Sequence, residues 1–129
     1  MLGDKNALAT IAVKDVEVAR KFYEATLGFV HDGPRRRGVL AYKSGSTVLL
    51  VYASTYAGTN HATSASWDAG DEIDGIVQTL RTKGVKFEHY EMPDTVLDGD
   101  VHVAGEMRTA WFKDPDGNIL NLFSSGQRR

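Results

Sequence analysis

There is no cysteine anywhere in the 129 residues. Disulfides, thiolate nucleophiles and cysteine metal sites are thereby excluded, and a reducing compartment is a natural fit. Neither sign of charge predominates: 15 basic against 17 acidic residues leave a formal net charge of -2. The longest basic run, Arg35-Arg36-Arg37, has no interleaved aromatic residue, so it reads as a solvated loop and no nucleic-acid partner is expected. Long apolar runs are absent as well. No stretch has the pattern of a signal peptide or a membrane span, so no membrane partner is expected and a cytoplasmic location follows by elimination. What is present, 42% hydrophobic and 25% charged residues, suits one ordinary domain that buries its core without staples.

Within that domain the strongest signal is a repeat. "DVEVARKFYEATLGF" opens on Asp15 as a helix cap, carries Val18, Ala19, Phe22, Tyr23 and Leu27 at helical spacing and stops at Gly28. "DEIDGIVQTLRTKGV" does the same from Asp71 through Ile73, Ile76, Val77 and Leu80 to Gly84. The patterns predict helices near residues 16–27 and 72–83. Each follows a short strand, Leu8 to Val13 or Ser64 to Ala69, and each precedes strand-like material. Two β-α-β-β-β units result, module one over about 6–54 and module two over about 63–125, joined by a Ser/Thr/Ala-rich linker at 55–62. Residues 92–106 look irregular, have no counterpart in module one and suit a loop over an opening.

The chain closes on "WFKDPDGNILNL", residues 111–122, where Asp114, Pro115 and Gly117 build a turn between an arriving strand, Met107 to Lys113, and a leaving one, Asn118 to Ser124. Period two puts Ile119, Asn121 and Phe123 on one face. A polar Asn121 among buried neighbours must find hydrogen bonds or cost roughly 1–3 kcal/mol, so it either stitches the core or lines a cavity that wants polarity.

The opening strand followed by "VKDVEVARKFYEATLGF", the repetition of that unit and the closing "FKDPDGN" resemble the vicinal oxygen chelate superfamily, which includes glyoxalases, bleomycin resistance proteins and extradiol dioxygenases. The resemblance spans residues 6 to 125. It implies an α+β fold of two βαβββ modules, with curved mixed sheets around a cavity that a homodimer partner completes. In metal-dependent relatives the ligands stand on inward strand positions, which by this resemblance are held here by Leu8, Ser64, Asn121 and either Leu49 or Leu50. None of these is a competent ligand for a divalent ion, so no metal and no other cofactor is expected. Of the four histidines, His61 stands close enough to Ser64 to reach the cavity rim, His31 and His89 join no triad, and His102 reads as an exposed loop residue.

Rings and a few polar groups suit a small organic ligand. The expected ligand-binding residues are Asn121, Trp67, Trp111, Phe112, Tyr52, Ser64, Arg108 and His61. Alternation sends Trp111 and Phe112 to opposite faces, so one of the pair belongs to the core. The functional expectation is a metal-free protein that binds a small organic molecule. The alternatives are a metal-dependent glyoxalase- or dioxygenase-like enzyme and a metal-free lyase or isomerase in which Asn121, His61 or Arg108 handles a proton; whether the chain is catalytic stays open.

Overall fold

The structure is a computed structural model and describes residues 1–125; residues 126–129, which the sequence reading included in its single domain, lie outside the described residues. In module one, strands β1 (Ala9–Val13), β2 (Val30–His31), β3 (Val39–Ser44) and β4 (Thr47–Ala53) form a sheet of order β1-β4-β3-β2. In module two, β5 (Thr63–Asp68), β6 (Phe87–Glu88), β7 (Val96–Asp98), β8 (Val101–Ala104), β9 (Met107–Lys113) and β10 (Ile119–Ser124) form a sheet of order β5-β10-β9-β8-β7, with β6 also on β9. The opening strand of each module runs parallel to its last strand, and the other pairs are antiparallel. This is the expected α+β architecture of two βαβββ units with mixed sheets, the second unit enlarged by the β7–β8 hairpin, and the sheets are not closed into a barrel. Among the described residues no helix is long and apolar enough to cross a membrane.

Both helices fall where the sequence places them, with local differences. α1 (Val16–Arg20) is capped by Asp15, whose Oδ1 accepts from the amides of Glu17 at 2.8 Å and Val18 at 3.4 Å. It then widens into a π-type turn over Lys21–Thr26, closed by the Leu27 amide on the Phe22 carbonyl at 3.0 Å. Gly28, at φ +80°, supplies the left-handed stop. α2 (Ile73–Thr82) is entered through a 3₁₀ turn, Gly70–Glu72, so Asp71 lies inside that turn rather than at the cap.

The stretch at 92–106 is less irregular than its composition suggests. It contains the β7–β8 hairpin, laid along the part of β9 that β6 leaves unpaired. His102 is therefore not an exposed loop residue: it stands on β8, 2% exposed. The strand was hard to read because it is short and flanked by Asp, Gly and Glu.

The helical faces of the two modules are turned towards each other and share one apolar core. Ile11, Val13, Tyr23, Tyr42 and Val51 of module one pack into the same cluster as Ile73, Val77, Leu80, Phe112 and Leu120 of module two. The opposite faces of both sheets look outward.

Candidate functional site

Leu120 and Leu122 of β10 point into the core, so Asn121 between them points to the outer face of the second sheet, yet it is only 6% exposed. Its Nδ2 donates to the carbonyls of Ala110 at 3.2 Å and Leu122 at 3.4 Å. These bonds fix the plane of the amide and leave its oxygen with no donor among the described residues. Directly across the ladder stands Trp111, and on the other side, on β5, stands Ser66.

Trp111 anchors a group of rings. Its centroid lies 5.0 Å from that of His102 and 5.4 Å from that of Tyr90, both edge-on, and its Nε1 donates to Thr63 Oγ1 at 3.2 Å. His102 is pinned in turn. The Tyr90 amide donates to its Nε2 at 2.9 Å, and its Nδ1 faces the Thr109 carbonyl at 3.3 Å. With Nε2 accepting from the Tyr90 amide and Nδ1 donating to the Thr109 carbonyl, neither ring nitrogen is free. Beside it lies an open cavity of about 540 Å³, lined by Tyr90, Met92, Pro93, Val96 and Leu97 together with the polar Glu91 and Thr95. Thus Asn121, Trp111, Tyr90 and His102 form one surface that leads into a recess of ligand size.

The other residues singled out from the sequence lie elsewhere. Trp67 faces the core side, where its ring packs 5.8 Å from Phe29 and its Nε1 donates to Ser44 Oγ at 2.9 Å. Phe112, as alternation with Trp111 requires, is a core residue against Phe87. Arg108 reaches to the helix side, held by Asp74 at 2.7 Å and Asp98 at 3.2 Å. Tyr52 is on the outer face of module one, 39% exposed. His61 is exposed in the linker. Ser64 falls at the irregularity between the Thr63 and Ala65 pairings, which moves the register by one residue and makes Ser66, not Ala65, the lateral neighbour of Asn121. The sequence reading did not include Tyr90, Ser66 or Thr63 in the site. The alternation in "VHVA", with a histidine opposite two valines, was the available signal for His102.

The ladder also settles the position in module one that matches Asn121. Leu49 and Val51 enter the core as Leu120 and Leu122 do, so Leu50 is the counterpart, paired with Thr10 as Asn121 is with Ser66. Leu8, Leu50, Ser64 and Asn121 offer a divalent ion no charged or imidazole donor, and no group of three His, Asp or Glu converges anywhere among the described residues. The residues present do not fit such an ion.

Comparison with known proteins agrees with this architecture. Residues 6–122 match the family model of the Glyoxalase/Bleomycin resistance protein/Dioxygenase superfamily. No curated protein sequence matches. Among solved structures, a bleomycin resistance determinant encoded on the transposon Tn5 superposes with a TM-score of 0.70 at 18% identity, covering 95% of this chain and 99% of that one. The fosfomycin resistance protein FosX from Listeria monocytogenes superposes with a TM-score of 0.67 at 14% identity over 100% of this chain and 96% of its own. A glyoxalase/bleomycin resistance protein/dioxygenase from Alicyclobacillus acidocaldarius gives a TM-score of 0.69 at 16% identity, covering 94% of this chain and 91% of that one. At such identities the structural likeness speaks to the fold, while the match over 6–122 assigns the family: the chain belongs to the glyoxalase/bleomycin resistance protein/dioxygenase superfamily.

Proposed function

We propose that this chain binds a small organic molecule on the outer face of its second module, without a divalent metal, and does so as a homodimer whose second copy covers that face. The observation that carries the reading is Asn121. Its amide nitrogen is anchored to two backbone carbonyls, its oxygen is left to accept, and Trp111, which packs against Tyr90 and His102, stands directly across the ladder. A fixed acceptor in an aromatic setting suits a ligand N–H or O–H and gives a cation no charge to bind.

The outer face of module one supports the dimer. Tyr52 is exposed there, and Val48 and Leu50 are half-buried beside it, an apolar surface suited to cover a ligand on a neighbouring copy. The names of the structural relatives suggest the first compounds to try, bleomycin and fosfomycin.

The test combines elemental analysis of the purified chain with calorimetric titration of these compounds and a small-molecule library, with and without EDTA. The expected result is substoichiometric metal and a saturable ligand whose affinity EDTA leaves unchanged. Stoichiometric metal, or an activity lost in EDTA and restored by Zn²⁺, Ni²⁺ or Fe²⁺, overturns the reading in favour of a metalloenzyme.

A further inference from the structure

A second cavity, of about 280 Å³, lies in the seam between the helical faces of the two modules, on the core side of the second sheet. Its walls are Leu27 and Phe29 from module one and Trp67, Ile76, Phe112 and Leu122 from module two. Core side chains ordinarily interdigitate and leave few voids larger than a water molecule. This one gives water little to bond to, because Trp67 already commits its single donor to Ser44 Oγ at 2.9 Å and the other wall side chains are hydrocarbon.

Polarity enters at the rim. Glu72 stands there, in the turn that leads into α2, and forms no ion pair with any described residue. Asp68 is beside it, with one carboxylate oxygen on the Gly70 amide at 3.1 Å. Among the described residues no lysine, arginine or histidine lines the cavity. An apolar chamber with an acidic rim fits a molecule of the inverse layout, a hydrocarbon or aromatic body ending in a cation. The volume lies just under the roughly 300–1,000 Å³ of sites for drug-sized ligands, which restricts the occupant to a small one.

We propose that the inter-module seam binds a small primary amine with an aromatic or branched apolar body, its ring against Phe29 and Trp67 and its ammonium at Glu72. The seam shares no lining residue with the surface around Asn121, so the two sites stand or fall separately.

The experiment is a titration of 2-phenylethylamine into the ¹⁵N-labelled chain, read on the two tryptophan indole N–H signals, which Trp111→Phe assigns. The Trp67 signal shifts saturably in the millimolar range or below while that of Trp111 stays still. Glu72→Gln, an exposed and isosteric change, weakens binding about tenfold, the worth of one charge-assisted hydrogen bond. 3-Phenylpropionate, which reverses the charge, does not bind. Ala69→Met, which fills the cavity mouth, abolishes the shift; if that variant fails to fold, Glu72→Gln decides alone. Asn121→Leu leaves the titration unchanged, so a failed outer site does not count against the seam. Absence of a saturable Trp67 shift, indifference to Glu72→Gln, or equal binding of the carboxylate overturns the proposal.

Discussion

The Tyr23 hydroxyl donates to Asp114 Oδ2 at 2.8 Å and so ties the first helical segment to the last hairpin, 91 residues away. Asp114 is more than the cap of its turn. The same carboxylate accepts from the amides of Asp116 and Asn118, both at 2.9 Å, and from Asn118 Nδ2 at 2.8 Å, while that Nδ2 also reaches the Ala12 carbonyl on β1 at 2.8 Å. Burial, and next the nearby Asp114 charge, push the Tyr23 phenol far above its ordinary range, so it remains a donor at any pH the fold tolerates. Tyr23→Phe removes one of four donors and should lower stability by about 1–2 kcal/mol in urea unfolding. Asp114→Ala strands all four and should cost more, on the order of 3 kcal/mol. Equal losses would mean the carboxylate is not the hub of the contact.

The same residue gives a pH dependence with a definite sign. Burial raises the Asp114 carboxyl above its ordinary 3.8 and outweighs the hydrogen bonds from Asn118, Tyr23 and Asp116, which act to lower it. A folded-state value above the unfolded one means that the fold favours the protonated acid. Its contribution is fully present below 3.8 and is lost as pH rises through the folded value. The unfolding free energy of the natural chain minus that of Asp114→Asn should therefore fall as pH is raised from about 3 towards 7, a difference that cancels the other carboxylates. A difference that rises with pH would mean that the four donors outweigh burial.

Gly58, in the linker, sits at φ +77°, and a Cβ added there would collide with the Asp116 carbonyl oxygen. The linker is packed on the closing turn at this point, with Ala57 buried beside it. Gly58→Ala should cost at least about 2 kcal/mol, since strain adds to a clash with backbone that cannot swing away. Gly45, at φ +58° with open space around it, is the control. Gly45→Ala should cost only about 1 kcal/mol, the conformational part alone. Indistinguishable melting shifts for the two would show that the linker is free to move off the turn.

Asn121→Leu removes an acceptor from the outer face but no backbone bond from the ladder, so the fold should persist with an unchanged circular dichroism spectrum. Ligand affinity at that face should drop by about 1–2 kcal/mol, the worth of a neutral buried hydrogen bond. Trp111→Ala removes the ring that His102 and Tyr90 pack against and should cost more binding than Asn121→Leu. Unchanged affinity in both variants would place the ligand elsewhere.

What could be read in advance follows from the range of each signal. Helix stripes, the stops at Gly28 and Gly84 and the turn at 114–117 are local, and all appear in the structure. Facing is not local. Alternation correctly set Trp111 against Phe112 and joined Asn121 with Ile119 and Phe123, but nothing along β5 says that Trp67 turns inward while Ser66 meets Asn121, because the irregularity beside Ser64 resets the parity. Arg108 likewise resembles a pocket residue until Asp74, 34 residues away, claims it. The double role of Asp114 was hidden for the same reason: the turn needs only the local half of its bonds.

The outward face of module one bears on assembly. Tyr52 is 39% exposed there, on the side away from the core, with Leu50 half-buried beside it, while Leu49 and Val51 already fill the inner face of the same strand. Apolar side chains that a single copy leaves in water can be withdrawn only by another surface, and the open sheet of a second copy supplies one that also shields Asn121. The chain should therefore sediment as a dimer at micromolar concentration, with an interface of at least roughly 1,000 Å². Leu50→Glu and Tyr52→Glu place a charge on the outer face without touching the core. Each should give a folded monomer with the natural helix and strand content and with weakened ligand binding, because the recess beside His102 loses its cover. A natural chain that sediments as a monomer, or charged variants that remain dimeric, would move the interface off this face and leave the outer site open to solvent.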